Sequence, residues 1–145
     1  MIVLAFSDNK IVGATTGIPL SRWDYDDITQ NIFKNAGYDV SKIFCFGESV
    51  VLKEFRGKGL GKDFFKIREN YSQKLGDFNI TTFCAVERPV DHHRKPADHL
   101  LLDRFWNKMG YIKHPELRSE FVWQDLDEKE ESPKPMVFWL KRWGQ

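Results

Sequence analysis

This chain carries almost no excess of charge of either sign. Its 22 basic and 21 acidic residues leave a formal net charge of +1, which removes the electrostatic reason to bind nucleic acid or an anionic membrane surface. Cysteine is scarce as well. Cys45 and Cys84 are the only two, each inside an apolar run, the usual setting of a free buried thiol rather than of a disulfide framework or a metal cluster, and so of a reducing compartment. No apolar run approaches the about 20 residues that span a bilayer. The first residues lack the basic start and small-residue cleavage pattern of a signal peptide, and the cytoplasm is the default location. Repeats, low-complexity tracts and linkers are missing too, so one domain is expected over residues 1–145. With 41% hydrophobic residues the chain has material for one good core and not for two.

What is present is a concentrated signal between Glu48 and Lys62, where an apolar strand runs into Arg56-Gly57-Lys58-Gly59-Leu60-Gly61-Lys62 and then into an amphipathic helix. Alternating glycines let the backbone turn tightly with φ > 0, so that several amide N–H groups converge on an anion at the positive end of the helix. A lone glycine-rich loop is often only a turn, so the spacing has to decide. A nucleoside triphosphate loop fails: with Gly61-Lys62 as its Gly-Lys pair, the upstream glycine falls on Arg56 and the hydroxyl residue on Asp63. A dinucleotide fingerprint fails because its third glycine falls on Lys62.

The pattern that fits is Arg-x-x-Gly-x-Gly, filled by Arg56, Gly59 and Gly61, and here the chain resembles the GNAT family of acyl-CoA-dependent N-acyltransferases. Phe105-Trp106-Asn107-Lys108-Met109-Gly110-Tyr111 is similar to the family's Phe-Tyr-Glu-Lys-Leu-Gly-Phe segment. The two motifs stand in the family's order, and the resemblance covers roughly residues 1–143. It implies an α+β fold, a mixed, mainly antiparallel twisted sheet with helices on both faces. It also implies acetyl-CoA as the coenzyme A ligand and an amine acceptor, a small molecule or a peptide. Cofactor contacts are then expected from Arg56, Gly57, Lys58, Gly59, Leu60, Gly61 and Lys62. Main chain around Val50, Val51 and Leu52 is expected to pair with the pantetheine arm, with one N–H polarising the thioester carbonyl.

Glu48 is a carboxylate in a strand that otherwise reads as buried on both faces from Ile43 to Leu52. Either it lines a cleft, partly desolvated, and takes a proton from an ammonium substrate directly or through water, or it pairs with a neighbouring arginine or lies on a solvated face. The resemblance favours the general base. The tyrosine that commonly protonates the leaving thiolate in the family falls on Trp106, whose indole N–H is no useful acid. Asp103 or His99 is the available substitute, or no acid is needed; Trp106 then packs against the coenzyme arm or the core.

Around these motifs, Ile2 to Phe6 and Ile11 to Ile18 read as a hairpin, and Ser21 to Lys42 holds a short helix with Ile28, Ile32 and Phe33 on one face. Asp24, Asp26 and Asp27 cap that helix or attract a cationic amine. Leu60, Phe64, Ile67, Tyr71 and Leu75 predict the core stripe of the next helix, ended by Gly76. Asn79 to Val86 reads as a strand, about His99 to Met109 as a helix, and Ser119 to Leu126 with Met136 to Trp143 as a closing hairpin. Phe121, Trp123, Phe138, Trp139 and Trp143 line an aromatic acceptor pocket or belong to the core or a homodimer interface. His92 and His93 are expected to diverge rather than chelate, so no metal is expected.

GNAT members usually place another strand and one or two helices before such a hairpin. A shortened member, a layer from a partner chain and a truncated sequence all stand open. A non-catalytic acyl-CoA sensor or interaction module is the alternative to an enzyme.

Overall fold

The structure is a computed structural model and describes residues 1–23, 27–89, 91–95 and 102–144. Six strands form one sheet: β1 (Ile2–Ser7), β2 (Lys10–Pro19), β3 (Ile43–Val51), β4 (Ile80–Val86), β5 (Ile112–Trp123) and β6 (Ser132–Arg142). Their order is β1-β2-β3-β4-β6-β5, and every pairing is antiparallel except that of β3 with β4. The opening hairpin turns at Asp8 and Asn9, both at positive φ (47° and 63°), a conformation that these two residue types tolerate.

Strand alternation sends side chains to two opposed layers. On one face Ile43, Cys45, Phe138, Leu140 and Leu117 pack under α1 (Asp27–Asn35), with Phe33 fully buried among them. On the other face Phe44, Phe46, Phe83, Val137 and Trp139 pack with Phe65 of α2 (Leu60–Lys74) and with Phe105 and Trp106 of α3 (Asp103–Lys108). Helices on both faces of a mainly antiparallel sheet match the expected α+β architecture.

Three expectations are corrected. The buried stripe of α2 is Phe64, Phe65, Arg68, Glu69 and Ser72, whereas Ile67, Tyr71 and Leu75 are each at least 40% exposed. The helix is rotated because two polar side chains find partners inside. Arg68 lies over the rings of Phe46 (4.2 Å) and Phe65 (5.0 Å), and Glu69 accepts from Tyr111 Oη (3.1 Å) and Lys141 Nζ (3.0 Å). In α1, Thr29 takes the buried place expected of Ile28, which is 61% exposed. The third correction concerns β3, which is buried only from Ile43 to Phe46 and is open from Gly47 to Val50. Its pairing with β4 ends after Ile43↔Ile80, Phe44↔Thr81 and Cys45↔Thr82, so beyond Cys45 the strand has lost its neighbour on that side.

Asp24 and Asp26 lie outside the described residues, as does His99. Asp27 does stand in the first turn of α1, where a carboxylate favours the helix dipole.

Candidate active site

The unpaired stretch of β3 opens a cleft in the middle of the sheet. On the β2 side the register steps from Thr15↔Ser49 to Gly17↔Phe46, so Gly47 and Glu48 together oppose Thr16. This is a β-bulge, and one extra residue reverses which face the following side chains occupy. Glu48, two residues after the inward Phe46, would share its face in a regular strand. The bulge sends it to the opposite face, beside Cys84 of β4. Thr15 and Thr16 hold the bulge: Thr15 Oγ1 donates to the Glu48 carbonyl (2.9 Å) and meets Ser49 Oγ (2.8 Å), while the Glu48 N–H donates to Thr16 Oγ1 (3.1 Å).

Main-chain direction follows from the same contacts. The Leu52 N–H donates to the Val12 carbonyl (2.9 Å), and the Glu48 N–H also faces β2, so alternation turns the peptide groups of Ser49 and Val51 towards the gap with β4. The Val51 carbonyl accepts from Arg56 Nε (3.0 Å), which fixes Arg56 at the mouth of the glycine loop.

In that loop Gly57 and Gly59 adopt φ of 72° and 95°. A Cβ at either position would meet nothing within 4 Å, so the requirement for glycine is conformational and not spatial. Gly59 is the N-cap of α2, and the Asp63 N–H donates to the Gly59 carbonyl (3.1 Å). The amides before Asp63 precede the helical ladder and are left for another acceptor.

Two cavities flank this strand. The first, ≈ 660 Å³, lies between β3, β4, the glycine loop, α2 and α3; the second, ≈ 740 Å³, lies on the α1 face. Both are in the size range of small-molecule sites. Gly47, Glu48, Cys84 and Val86 belong to the walls of both, so the bulge stands where the two meet.

Of the residues expected at the site, Glu48, Val50, Val51, Arg56, Gly57, Leu60, Gly61 and Trp106 line the first cavity. Leu52, Lys58, Gly59, Lys62 and Asp103 do not. Lys58 is exposed, with its ammonium 5.0 Å from the Phe55 ring, and Asp103 opens α3 away from the lining. Glu48 is exposed rather than partly desolvated, because the splay of β4 uncovers it. Trp106 packs on Phe83 and Trp139, each with ring centroids 5.0 Å away. Tyr111 offers no replacement for the missing tyrosine: it is fully buried outside both cavities, and burial pushes its phenol far above the ordinary range.

Sequence reasoning missed Arg68, which is 2% exposed and lines the first cavity. Burial lowers its guanidinium to about 10, which leaves it charged at neutral pH. Its bonds to the carbonyls of Phe64 (3.3 Å) and Thr16 (3.4 Å) are long. The available signal was its place one turn after Phe64. Cys84 was read only as a buried thiol. Burial, and then the Glu48 carboxylate, push it up to about 12, so it stays protonated and is a poor nucleophile. Alkylation of Cys84 by iodoacetamide is therefore expected to be slow at about pH 8 and still to be rising at about pH 10; a plateau near the ordinary thiol range of about 8.5 would refute this protonation state.

Of the five aromatics considered for the acceptor pocket, Phe121 and Trp123 line the second cavity, joined by Trp23 and Met136, while the Phe46 ring lies in the layer beneath α2. Phe138 and Trp139 are core, and Trp143 Nε1 donates to Thr81 Oγ1 (3.0 Å) away from it. Asp125 orients Trp123 by accepting from its indole N–H (3.0 Å) and is clamped by both terminal nitrogens of Arg88 (2.6 and 2.8 Å). The rings of His92 and His93 stack at 4.8 Å instead of diverging, and His93 Nε2 meets Asp127 Oδ2 at 2.8 Å. With Asp127 they offer three ligand atoms, one short of a closed tetrahedral set.

A structure of a GNAT-family acetyltransferase from Streptococcus pneumoniae superposes with a TM-score of 0.59 over 99% of this chain and 66% of its own length, at 15% identity. The fold is that of the GNAT acetyltransferases. A ribosomal-protein-alanine N-acetyltransferase from Brucella melitensis gives 0.59 at 11% identity, covering 97% of this chain and 67% of its own. A putative streptothricin acetyltransferase from Bacillus anthracis in complex with acetyl coenzyme A gives 0.58 at 15% identity, covering 98% and 61%. The chain thus spans about two thirds of the length of these GNAT structures. No family model and no curated protein matches its sequence. Among the described residues, no helix is long and apolar enough to cross a membrane.

Proposed function

We propose that this GNAT domain is an N-acetyltransferase that moves the acetyl group of acetyl-CoA to a primary amine by direct attack in a ternary complex. The observation that carries the reading is the meeting of two cavities at Glu48, one walled by the glycine loop and the splayed strands, the other by aromatic side chains. The loop suits a diphosphate: amides ahead of the helical ladder, two glycines at positive φ and the α2 N-terminus favour an anion. Arg56, Gly57, Leu60 and Gly61 would hold that end of coenzyme A, with Lys58 and Lys62 screening it from the loop and first turn, and the backbone of Val51 would pair with the pantetheine arm.

Acetyl-CoA supplies the activated thioester and its thiol leaving group. The chain's part is positional and electrostatic. Glu48 takes the proton from the ammonium form of the acceptor so that nitrogen has a free lone pair, directly or through water. A main-chain N–H that faces the gap, that of Ser49 beside the bulge, is the donor for charge developing on the carbonyl oxygen. Cys84, held as the thiol, forms no acyl-enzyme. Asp103 stands off the lining, and Trp106 occupies the place of the family's tyrosine; a thiolate leaves tolerably well and needs no acid from the protein.

Calorimetric titration with acetyl-CoA, with NAD as control, is expected to give saturable binding of acetyl-CoA alone, and steady-state assays with amines to release CoA thiol. Binding with no turnover of any primary amine would favour a sensor over an enzyme, and no binding would remove both.

A further inference from the structure

We propose that the acceptor is an arylalkylamine, a primary amine carried on a short chain from an aromatic ring; this rests on the acetyltransferase reading above. The second cavity has the chemistry of such a molecule at its two ends. At the end where the two cavities meet stands Glu48, the carboxylate that the bulge turns to this face. The rest of the wall includes Trp23, Phe121, Trp123 and Met136. Trp23 and Phe121 lie at a tilt of 47° with centroids 6.3 Å apart, within the range of an interacting aromatic pair. The wall is also pre-formed, since Trp123 is tied to Asp125, Asp125 to Arg88, and the Trp23 carbonyl accepts from Gln30 Nε2 (3.3 Å). Walls fixed before binding lower the ordering cost of a ligand.

The charge pattern argues against the other common amine classes. Among the described residues, Glu48 is the one carboxylate that lines this cavity and Arg22 the one cation. A polyamine would leave its further ammonium groups among indole and phenyl rings with no second carboxylate in the described lining, next to a guanidinium. A lysine side chain would bring an ammonium to Glu48 but nothing to cover the ring faces.

The test measures kcat/KM at saturating acetyl-CoA for phenethylamine and tryptamine against spermidine and an Nα-acetylated lysine amide. Calorimetry of acetyl-CoA binding runs in parallel. The arylalkylamines are expected to lead by at least about tenfold, the scale that apolar pocket contacts supply. Trp123→Leu is expected to shrink that lead while acetyl-CoA affinity holds. In the unaltered protein, 3-methylindole, an arene with no amine, is expected to compete with phenethylamine. Equal or better turnover of spermidine or the lysine amide, or bound acetyl-CoA with no arylalkylamine acetylated, overturns this acceptor class and leaves the cofactor site standing. Failure to bind acetyl-CoA overturns the reading beneath it as well.

Discussion

Glutamine in place of Glu48 lowers kcat/KM for amine acetylation by about 10²- to 10⁴-fold, the range over which a positioned general base contributes. The substitution keeps the shape of the side chain and removes its capacity to accept a proton. Glu48 anchors the bulge through its main chain, where its N–H meets Thr16 and its carbonyl meets Thr15, so the bulge survives the change. Acetyl-CoA affinity should therefore be little altered, and the loss should fall on the acceptor reaction. The deficit is expected to be widest at low pH, where the acceptor is almost wholly ammonium, and to narrow as solvent hydroxide strips that proton. A variant that acetylates amines at close to the parent rate across the pH range would end the assignment of Glu48 as base.

Alanine at Phe138 is expected to lower folding stability by about 3–5 kcal/mol, the usual cost of emptying a fully buried phenylalanine site. Phe138 is 0% exposed and meets Phe33 of α1 edge-on, with centroids 5.0 Å apart and planes at 80°. Phe33 in turn touches Tyr38 at 5.7 Å, so the ring joins α1 and the segment after it to the sheet. The lining cannot collapse easily, because Phe138 sits on a strand paired on both sides, with β4 and with β5. For a domain of this size each kcal/mol moves Tm by about 2–4 °C, so a fall of roughly 6–20 °C is expected, with the urea midpoint shifting to match. A loss of less than about 1 kcal/mol would show that the α1 layer is loosely attached.

The legible parts of the sequence are those where one local rule acts alone. The opening hairpin showed through β-rich runs around Ser7-Asp8-Asn9-Lys10, and the loop through the spacing of Arg56, Gly59 and Gly61, since tight turns admit few residue types. Gly110, at φ 89°, ends α3 where the second motif put it. Burial of Arg68 and Glu69 was hidden, because helical periodicity counts both as surface and their partners, Phe46, Tyr111 and Lys141, come from strands distant in sequence or from the loop before one. The acceptor wall was half legible for a related reason: Phe121 and Trp123 stood out in a strand pattern, but Trp23 joins them only through the fold. The openness of β3 after Phe46 was legible only through the family resemblance, which implies main chain open to the coenzyme there; by composition Val50, Val51 and Leu52 look like core, and the early end of the β4 ladder uncovers them.

The bulge at Gly47 and Glu48 makes the site a matter of parity. Residues before it and after it alternate in opposite phase. Were Gly47 and Glu48 each paired with a residue of their own on β2, position 48 would fall on the face of Phe44 and Phe46, and the carboxylate would lie in the layer beneath α2, among phenylalanines. Fold and reactivity are thus encoded separately here, the first by which residues occur and the second by the register in which two strands meet. Two chains of this architecture, alike in every side chain that touches the cleft, would part company through a single residue added to β2 opposite the bulge, with the sheet left intact.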